Sequence, residues 1–513
     1  MSDLRALPLT LFEQPPPRLR LGLNLALLIA WLWLYWPLTG YLTIIFSAED
    51  FRTNQLLLIG VAALIIYRLI QSGTRPRFDA PPRLALLPLV LALGGSLLYL
   101  LAERFLNVNT LSTTLLGLAS YGLLGLWLSP VRWRQGLPAA LLLIGTLPFG
   151  DHLQTFIGYP MRIATAVIVR DGLAAVGVTA VGLDTILIFE NGVSQVDLPC
   201  SGVKSLWTGG LFLLAATWIE QRPFNKRWVG TALFFAIVLF AANLARVAIL
   251  VAVGEVAGWR LLAEMLHVPL GVLGFILACG AAVWLLRRGN PFTPTGELEQ
   301  TEKRPAYWLA PSLVIVVSLM ALAYAPRPQT GLSQVVGHWS FPAAMGIEPM
   351  PLRPDEIDWL MRDGAEAASR YRFQWGELSG SMILITSRTW RAHHRPERCF
   401  EVYGLALNNS YTHLVTPLFP ARQVSLGNNK QPAQYTAVYW FQSADQTTDD
   451  YAARIWADLS LERERWALVS ILFDEKVDPN HPDTALFYLS LHQTVADYLQ
   501  GASHEDYISS HSQ

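Results

Sequence analysis

Cysteine and charge are both scarce in this chain, and each scarcity excludes a class of protein. Three cysteines in 513 residues do not make the disulfide framework that holds small secreted domains together. Only 15% of the residues are charged and the formal net charge is -1, so the composition indicates no polyanionic partner such as a nucleic acid. The chain also has no internal repeat and no glycine-rich loop for a nucleotide phosphate.

Apolar residues are abundant instead, at 52% of the chain, and they concentrate in long runs before residue 326. A hydrocarbon core about 30 Å thick is crossed by roughly 20 residues of α-helix. Residues 21–326 therefore predict a polytopic α-helical membrane bundle of about eight or nine transmembrane helices, preceded by a cytoplasmic tail at 1–20. The candidate spans are 21–42, 55–71, 84–102, 111–129, 136–150, 204–220, 229–253, 268–286 and 307–325.

The placement of Lys and Arg sets the predicted orientation of this bundle. With the N-terminus in the cytoplasm, most of the Lys and Arg that flank the spans fall inside, as the positive-inside rule requires. The short run at 136–150 is kept as a span because, without it, the loops that follow no longer alternate between inside and outside in agreement with their Lys and Arg. The first span has no small-residue cleavage site behind it, so we interpret it as an anchor and not as a signal peptide.

Three reactive side chains fall at the predicted outer ends of these spans. Cys200 lies just before the sixth span, Arg246 lies about 25 Å along the seventh, and His267 lies just before the eighth. A charged side chain at the centre of a bilayer costs from about 2.5 to about 10 kcal/mol, so Arg246 implies a partner or a function. Each residue also has a structural alternative: an apolar filler, a cation reaching lipid head groups, and an interfacial histidine.

The residues before Cys200 predict a small β-hairpin on the outer membrane face. Asn191-Gly192 stands between two apolar-rich arms, 185–190 and 193–198, which is a strong short-range hairpin signal. The hairpin would deliver the chain to the start of the sixth span.

The start of that span favours a reactive thiol at Cys200. Pro199 suits the first position of a helix, so Cys200 is expected at a helix N-terminus. Free amide N–H groups and the positive end of the helix dipole favour a thiolate there. Ser201 and Gly202 would keep the backbone accessible and leave an N–H group for an oxyanion.

Arg246 and His267 would complete a set of groups for acyl transfer. The fixed charge of Arg246 could hold a thiolate, bind a developing oxyanion or clamp a substrate carboxylate. Asn243, three residues earlier on the same helical face, could orient the guanidinium. His267 could take the thiol proton and return one to a leaving amine. Such a reaction needs no metal ion and no cofactor, and neither is expected.

These segments resemble the exosortase/archaeosortase family over roughly residues 20–290. The residues that carry the resemblance are Cys200, Ser201 and Gly202 opening one span, Asn243 and Arg246 late in the next, and His267 at the head of the third. The resemblance implies a membrane-embedded cysteine transpeptidase of a bacterial cytoplasmic membrane. It also implies that Cys200 is the nucleophile, Arg246 the oxyanion or substrate stabiliser, and His267 the proton carrier.

The resemblance further implies the partners. The substrates would be exported proteins with a C-terminal sorting signal, made of a Pro-Glu-Pro-type motif (PEP-CTERM), a transmembrane helix and a basic tail. Membrane lipid and an unknown acceptor nucleophile complete the set. The alternative is a non-enzymatic membrane protein of exopolysaccharide export or assembly, in which Arg246 contacts an anionic lipid-linked sugar. Membrane-embedded acyl transfer without proteolysis is a third class.

The remaining residues read as a water-soluble region. Residues 327–500 predict an extracytoplasmic α+β domain, with strands at 381–386 and 435–441 and helix starts at Asp450 and Thr484. Residues 501–513 are polar and are expected to be disordered.

One stretch of this region carries unusual chemistry. It holds His393, His394, Glu397 and Cys399, for which a metal site, a second catalytic cysteine and plain packing or substrate docking are all open. The stretch resembles the His-x-Pro-Glu-x-Cys segment of a domain fused to exosortases or encoded beside them in exopolysaccharide loci. The fused form is similar to a long exosortase subclass, type O.

Overall fold

A computed structural model gives the fold. It describes residues 15–72, 79–178, 181–183, 186–189, 192–195, 201–289, 305–326, 339–393, 395–397, 400, 405–427, 434–458 and 464–511. The chain divides into two compact units. The membrane unit comprises residues 1–153 and 161–328, and the C-terminal unit comprises residues 154–160 and 329–513.

The membrane unit is mostly helical because its apolar runs are too long for strands and an α-helix satisfies its own backbone hydrogen bonds in lipid. Its helices are α1 (Pro17–Leu34), α2 (Thr39–Ser47), α3 (Arg52–Ser72), α4 (Leu86–Leu101), α5 (Asn109–Leu124), α6 (Pro130–Gln135), α7 (Leu137–Gly145), α8 (Gly150–Leu153), α9 (Tyr159–Ala175), α10 (Val203–Ile219), α11 (Lys226–Val251), α12 (Arg260–Arg287) and α13 (Leu309–Leu322). Single π-helical turns extend α4 and α11, at Ala102–Leu106 and Ala252–Val256.

Five of the described helices are long and apolar enough to cross a membrane. They are Pro17–Leu34, Arg52–Ile70, Leu86–Leu106, Lys226–Val256 and Arg260–Arg287, and two shorter apolar helices are Val203–Ile219 and Leu309–Leu322. Each predicted span contains a described helix, but α5 and α7 have only 16 and 9 residues. The helical membrane region is therefore confirmed, while the count of eight or nine crossings stays a prediction.

Apolar contacts join the helices of the membrane unit in three groups. One cluster joins α1, α4, α5 and α13, a second joins α10, α11 and α12, and a third joins α9 to α11. The second cluster includes Leu213, Leu239 and Ala282, one from each of its helices. The third sets Ala166 and Val169 of α9 in the same cluster as Val247 and Val251 of α11.

A small antiparallel sheet precedes α10. Its strands are β1 (Val181–Leu183), β2 (Ile186–Phe189) and β3 (Gly192–Gln195), in that spatial order. The predicted hairpin is confirmed as the β2–β3 pair. Phe189 pairs with Gly192, so the two-residue connection lies one position before the predicted Asn191-Gly192.

Two helices begin elsewhere than the sequence predicts. α10 begins at Val203 with Gly202 as its N-cap residue, which is later than the start predicted from Pro199. α12 begins at Arg260, so His267 lies inside this helix and not at its head. Pro269, which favours a helix start, lies inside α12 as well; membrane helices tolerate a proline whose freed carbonyl is satisfied by other groups.

The C-terminal unit is built on one antiparallel sheet. Its elements are β4 (Gly346–Met350), α14 (Pro354–Asp363), β5 (Ala367–Trp375), β6 (Leu378–Ser387), β7 (Ala406–Thr416), β8 (Phe419–Gly427), β9 (Tyr435–Gln442), β10 (Thr447–Thr448), α15 (Tyr451–Ala457), β11 (Trp466–Phe473) and α16 (Pro482–His511). The spatial order is β4-β5-β6-β11-β9-β8-β7, with β10 paired to β9. The α+β class and the strands predicted at 381–386 and 435–441 are therefore confirmed.

Apolar side chains cover both faces of this sheet. On one face Trp440 and Phe473 pack with Phe487 of α16, and all three are fully buried. On the other face Phe441 and Leu468 belong to a cluster that includes residues of α14 and α15. Burial of two faces explains why β9 and β11 read as nearly continuous apolar runs.

Of the two helix starts predicted in the C-terminal unit, one agrees with the structure and the other is slightly displaced. Asp450 caps α15 as predicted, because its Oδ1 accepts the Ala452 N–H at 2.8 Å. α16 begins at Pro482, slightly before Thr484, and continues to His511. It thus enters residues 501–513, for which the sequence predicts disorder, since an established helix gains one hydrogen bond for each residue added.

Candidate active site

The predicted site residues that the structure describes lie at one end of the α10–α12 bundle. The shared apolar cluster of these helices includes Leu213, Leu239 and Ala282. At the start of α10, the end of α11 and the start of α12, polar side chains and glycines are in contact. Asn243 and Arg246 come from α11, Gly202 caps α10, and the other contributions come from α12.

Gly202 brings the start of α10 against α11. Its backbone has φ +75°, a left-handed conformation that glycine adopts without strain. A Cβ atom at this position would lie only 2.8 Å from Cγ and 3.0 Å from Nδ2 of Asn243. The close approach of the two segments therefore requires glycine on both grounds.

Asn243 links this approach to the cation. It is 6% exposed, and its Oδ1 accepts a hydrogen bond from Nη2 of Arg246 at 2.9 Å. The orienting contact that the i, i+3 spacing predicts is thus confirmed. Since the other side of Asn243 packs on Gly202, the amide fixes the guanidinium relative to the chain that leads into α10.

The Arg246 side chain extends from α11 to α12, where its guanidinium lies against the backbone of Gly271. A Cβ atom on Gly271 would lie 2.9 Å from Nη1 of Arg246, so the guanidinium occupies the space that a side chain would need. His267 stands one helical turn before Gly271, on the same face of α12. It is near enough to Arg246 for the guanidinium charge to act on the imidazole. Arg246 and His267 are both half-buried.

The start of α10 supplies one further predicted residue. Ser201 is 1% exposed, and its Oγ accepts the Val203 N–H at 3.3 Å. Cys200 itself lies outside the described residues. The structure therefore brings together Gly202, Asn243 and Arg246, with His267 near the guanidinium, and the position of the thiol stays a prediction.

Sequence reasoning missed Gly271 and Arg162. Gly271 and Gly274 are three residues apart, and the second lies against Ala242 of α11, where an added Cβ would be 3.0 Å from the alanine Cβ. Small residues at a helix interface let two backbones approach closely. Arg162 has no predicted role, yet it is 1% exposed in α9, one turn before Ala166 on the face that meets α11.

In the second candidate cluster, in the C-terminal unit, hydrogen bonds hold the described side chains within the fold. His393 is fully buried, with Nε2 3.0 Å from the Ile385 carbonyl and Nδ1 accepting from Nε of Arg454 at 3.0 Å. Arg454 also donates to Asp458, which accepts the backbone N–H of Trp390 at 2.6 Å. Both ring nitrogens of His393 are engaged, which opposes a metal-binding role for this residue.

The rest of that stretch points the same way where it is described. The Tyr439 hydroxyl donates to Oε1 of Glu397 at 2.5 Å, and burial raises the pKa of this tyrosine well above its usual value. His394 and Cys399 lie outside the described residues. Within the described part of the chain, no group of three or more His, Cys, Asp or Glu side chains is arranged to hold a metal ion.

Comparison with known proteins adds one finding. A model of the family described as transmembrane exosortase matches residues 20–285, which is just over half of the 513-residue chain. All the residues of the α10–α12 crossing fall inside this match. No curated protein and no solved structure matches the chain.

Proposed function

This chain belongs to the transmembrane exosortase family, and from that premise we propose that it is a membrane-embedded cysteine peptidase or transpeptidase. Its substrates are exported proteins with a C-terminal sorting signal. The observation that carries the proposal is the Arg246 guanidinium, held by Asn243 at a helix crossing and received by Gly271. A cation positioned in this way supports the stabilisation of negative charge in an acyl-transfer reaction.

Cys200 is the proposed nucleophile. It is two residues from Gly202, which lies against Asn243. Two peptide units separate Cα atoms by at most about 7.6 Å, and this covalent limit supports a nucleophile near Asn243.

The proposed reaction begins with proton transfer from the Cys200 thiol to His267. The thiolate sulfur then attacks the scissile carbonyl carbon, and the C–O π electrons become an oxyanion that Arg246 and backbone N–H groups stabilise. Collapse breaks the C–N bond, and the leaving amine takes the proton from His267. The helix and basic tail of the sorting signal leave, and the remainder is a thioester on Cys200.

A second nucleophile completes the cycle. An amine of an acceptor molecule, or water, gives up a proton to His267 and attacks the thioester carbonyl, and Cys200 leaves as the thiolate. Arg246 would serve both oxyanions, since both form at the same carbonyl. Asn243 is a positioning residue in this scheme, because it acts through its hydrogen bond to Arg246.

The proposed location is the outer face of a bacterial cytoplasmic membrane. Lys and Arg placement supports this sidedness, since it puts the start of α10, the end of α11 and the C-terminal unit outside. The transmembrane helix of the substrate would dock laterally against the bundle and present its motif at the membrane boundary. The 513-residue length with a C-terminal sheet domain fits the long form of the family.

Processing of a sorting-signal reporter tests the proposal. Cys200→Ala and Cys200→Ser should abolish cleavage in cells, with the full-length protein still present in the membrane. Cys279→Ser is the matched control, because this free cysteine is buried in α12 among the residues of the apolar cluster. Normal cleavage by Cys200→Ala would sink the proposal and favour a non-enzymatic role in exopolysaccharide export.

A further inference from the structure

A cleft of about 210 Å³ lies in the C-terminal unit, on the face of the sheet that carries α14. Ile383 and Ile385 of β6 and Leu468 and Leu472 of β11 contribute apolar side chains to it. Phe400 adds a further apolar surface. The cleft is thus lined in part by residues of the stretch that resembles the exosortase-associated domain, for which the proposed reaction provides no role.

Charged groups gather in the lining of this cleft. Glu356 is 6% exposed and accepts the backbone N–H of Arg353 at 2.8 Å. It also lies 3.4 Å from Nη1 of Arg370 and 3.7 Å from Nε of Arg353. Among the described lining residues, two guanidiniums therefore face one carboxylate. Two guanidiniums beside an apolar surface favour a ligand with an apolar body and one anionic group.

The backbone of the cleft floor favours a ligand without peptide groups. β6 is paired on both sides, with β5 and β11, and β11 is paired on both sides, with β6 and β9. Strand addition requires a sheet edge with unpaired N–H and C=O groups. A bound peptide would lose hydrogen bonds of its own backbone on this floor, whereas an acyl chain has none to lose.

We propose that this cleft binds an apolar monocarboxylate, with its chain on the floor and its carboxylate on Arg370 and Arg353. The cleft volume of about 210 Å³ is below the roughly 300–1,000 Å³ of pockets for drug-sized ligands, which favours a small ligand. A twelve-carbon fatty acid, dodecanoate, has this size and chemistry. The inference does not depend on the proposed reaction, because the cleft belongs wholly to the C-terminal unit.

Photolabelling of the full-length protein in lipid nanodiscs tests the inference. The probe is dodecanoate with a diazirine at the end of its chain, and the labelled peptides are identified by mass spectrometry. Label is expected on β6, β11 and the peptide that contains Phe400, and unmodified dodecanoate should compete for it. Dodecan-1-ol, which has the chain without the charge, should not compete.

Three variants sharpen the result. Arg370→Met should reduce this labelling about tenfold, the effect expected when a hydrogen bond between charged groups is lost. Arg372→Met is the matched control, since Arg372 lies two residues along the same strand and pairs with Asp474 at 2.6 Å. Ser470→Phe places a ring inside the cleft and should abolish the labelling.

Several outcomes would overturn the inference. Label confined to the membrane helices, equal labelling of Arg370→Met and wild type, or equal competition by dodecan-1-ol would each do so. Stronger competition by an acetylated Ala-Glu-Ala peptide would assign the cleft to acidic peptides instead. Reporter processing is measured in parallel, and its failure in Cys200→Ala leaves the assignment of the cleft unaffected.

Discussion

The two units of this protein place the same apolar residue types on opposite sides of their folds. In the membrane unit large apolar side chains face outward, as with Ile70 and Leu261, which are 75% and 73% exposed. In the C-terminal unit the core encloses them instead, as with Leu384 and Ile471, which are fully buried. Exposure of an apolar surface costs free energy in water but not in lipid. The surface of the membrane unit therefore suits lipid, and that of the C-terminal unit suits water.

Their buried polar groups differ in a corresponding way. The membrane unit sets Arg246 and Asn243 at a helix crossing that glycines make narrow. The C-terminal unit encloses Arg454, His393 and Asp458 in a network that ties the motif-bearing stretch to α15. We therefore expect the first cluster to matter for chemistry and the second for stability, and four predictions test this division.

The largest effect is expected from Arg454→Ala. The substitution removes the hydrogen bonds that Arg454 donates to Asp458 and to Nδ1 of His393. Breaking a buried ion pair in this way costs about 3–5 kcal/mol. Hydrogen exchange of β6 and β11 in the full-length protein should accelerate accordingly, and Arg372→Ala should leave it nearly unchanged. Unaltered protection of β6 and β11 from hydrogen exchange in Arg454→Ala would contradict a stabilising role for the second cluster.

Arg246→Ala should preserve the fold and remove most of the activity. Loss of one group that stabilises an oxyanion lowers a rate about 10²–10³-fold, and reporter processing should fall by this amount. Arg260→Ala is the control, because Arg260 is exposed at the start of α12 and pairs with Glu255. Equal processing by both variants would mean that Arg246 serves only to hold the helices.

Gly271→Ala should produce a smaller loss. The added Cβ would lie 2.9 Å from Nη1 of Arg246, so the guanidinium must move. A displacement of this kind should slow processing about tenfold, or about 1.4 kcal/mol in the barrier. Gly280→Ala, in the same helix with nothing within 4 Å of the added atom, should have no effect. The two variants processing at the same rate would rule out the positioning role of Gly271.

The smallest effect is a pH dependence in the C-terminal unit. Burial lowers the pKa of His492 from 6.5 to about 4, and its ring packs on Phe419. The unfolded chain therefore takes up a proton first as the pH falls, so this residue costs stability progressively from pH 6.5 down to about 4. Over this pH interval the unfolding midpoint of His492→Gln should change less than that of the wild type. His481→Gln, at an exposed histidine, is the control and should follow the wild type. Parallel curves would contradict the prediction.

Much of the local structure could be predicted, because short-range rules determine it. The alternation around Ile383 and the apolar run at 435–441 predicted two strands of the C-terminal sheet. Asp450 was recognisable as a cap because its side chain satisfies an N–H group at the helix start. The contact of Asn243 with Arg246 followed from helical periodicity alone.

The features that the sequence did not predict depend on long-range contacts or on competing local signals. The eighth span was predicted at 268–286, yet α12 begins at Arg260 and encloses both His267 and Pro269. α9 was missed because Arg162, Arg170 and Asp171 interrupt its apolar pattern. The partner of His393 is 61 residues away in sequence, at Arg454, and no local pattern indicates such a pairing.

The most direct test of the central claim is to trap the acyl-enzyme. Purified full-length protein in nanodiscs is incubated with a sorting-signal substrate without an acceptor amine and analysed by mass spectrometry. We expect the N-terminal part of the substrate attached to Cys200 and released by hydroxylamine as a hydroxamate, with no adduct in Cys200→Ser. Cleaved substrate with no adduct at Cys200, or with an adduct elsewhere, would contradict the account.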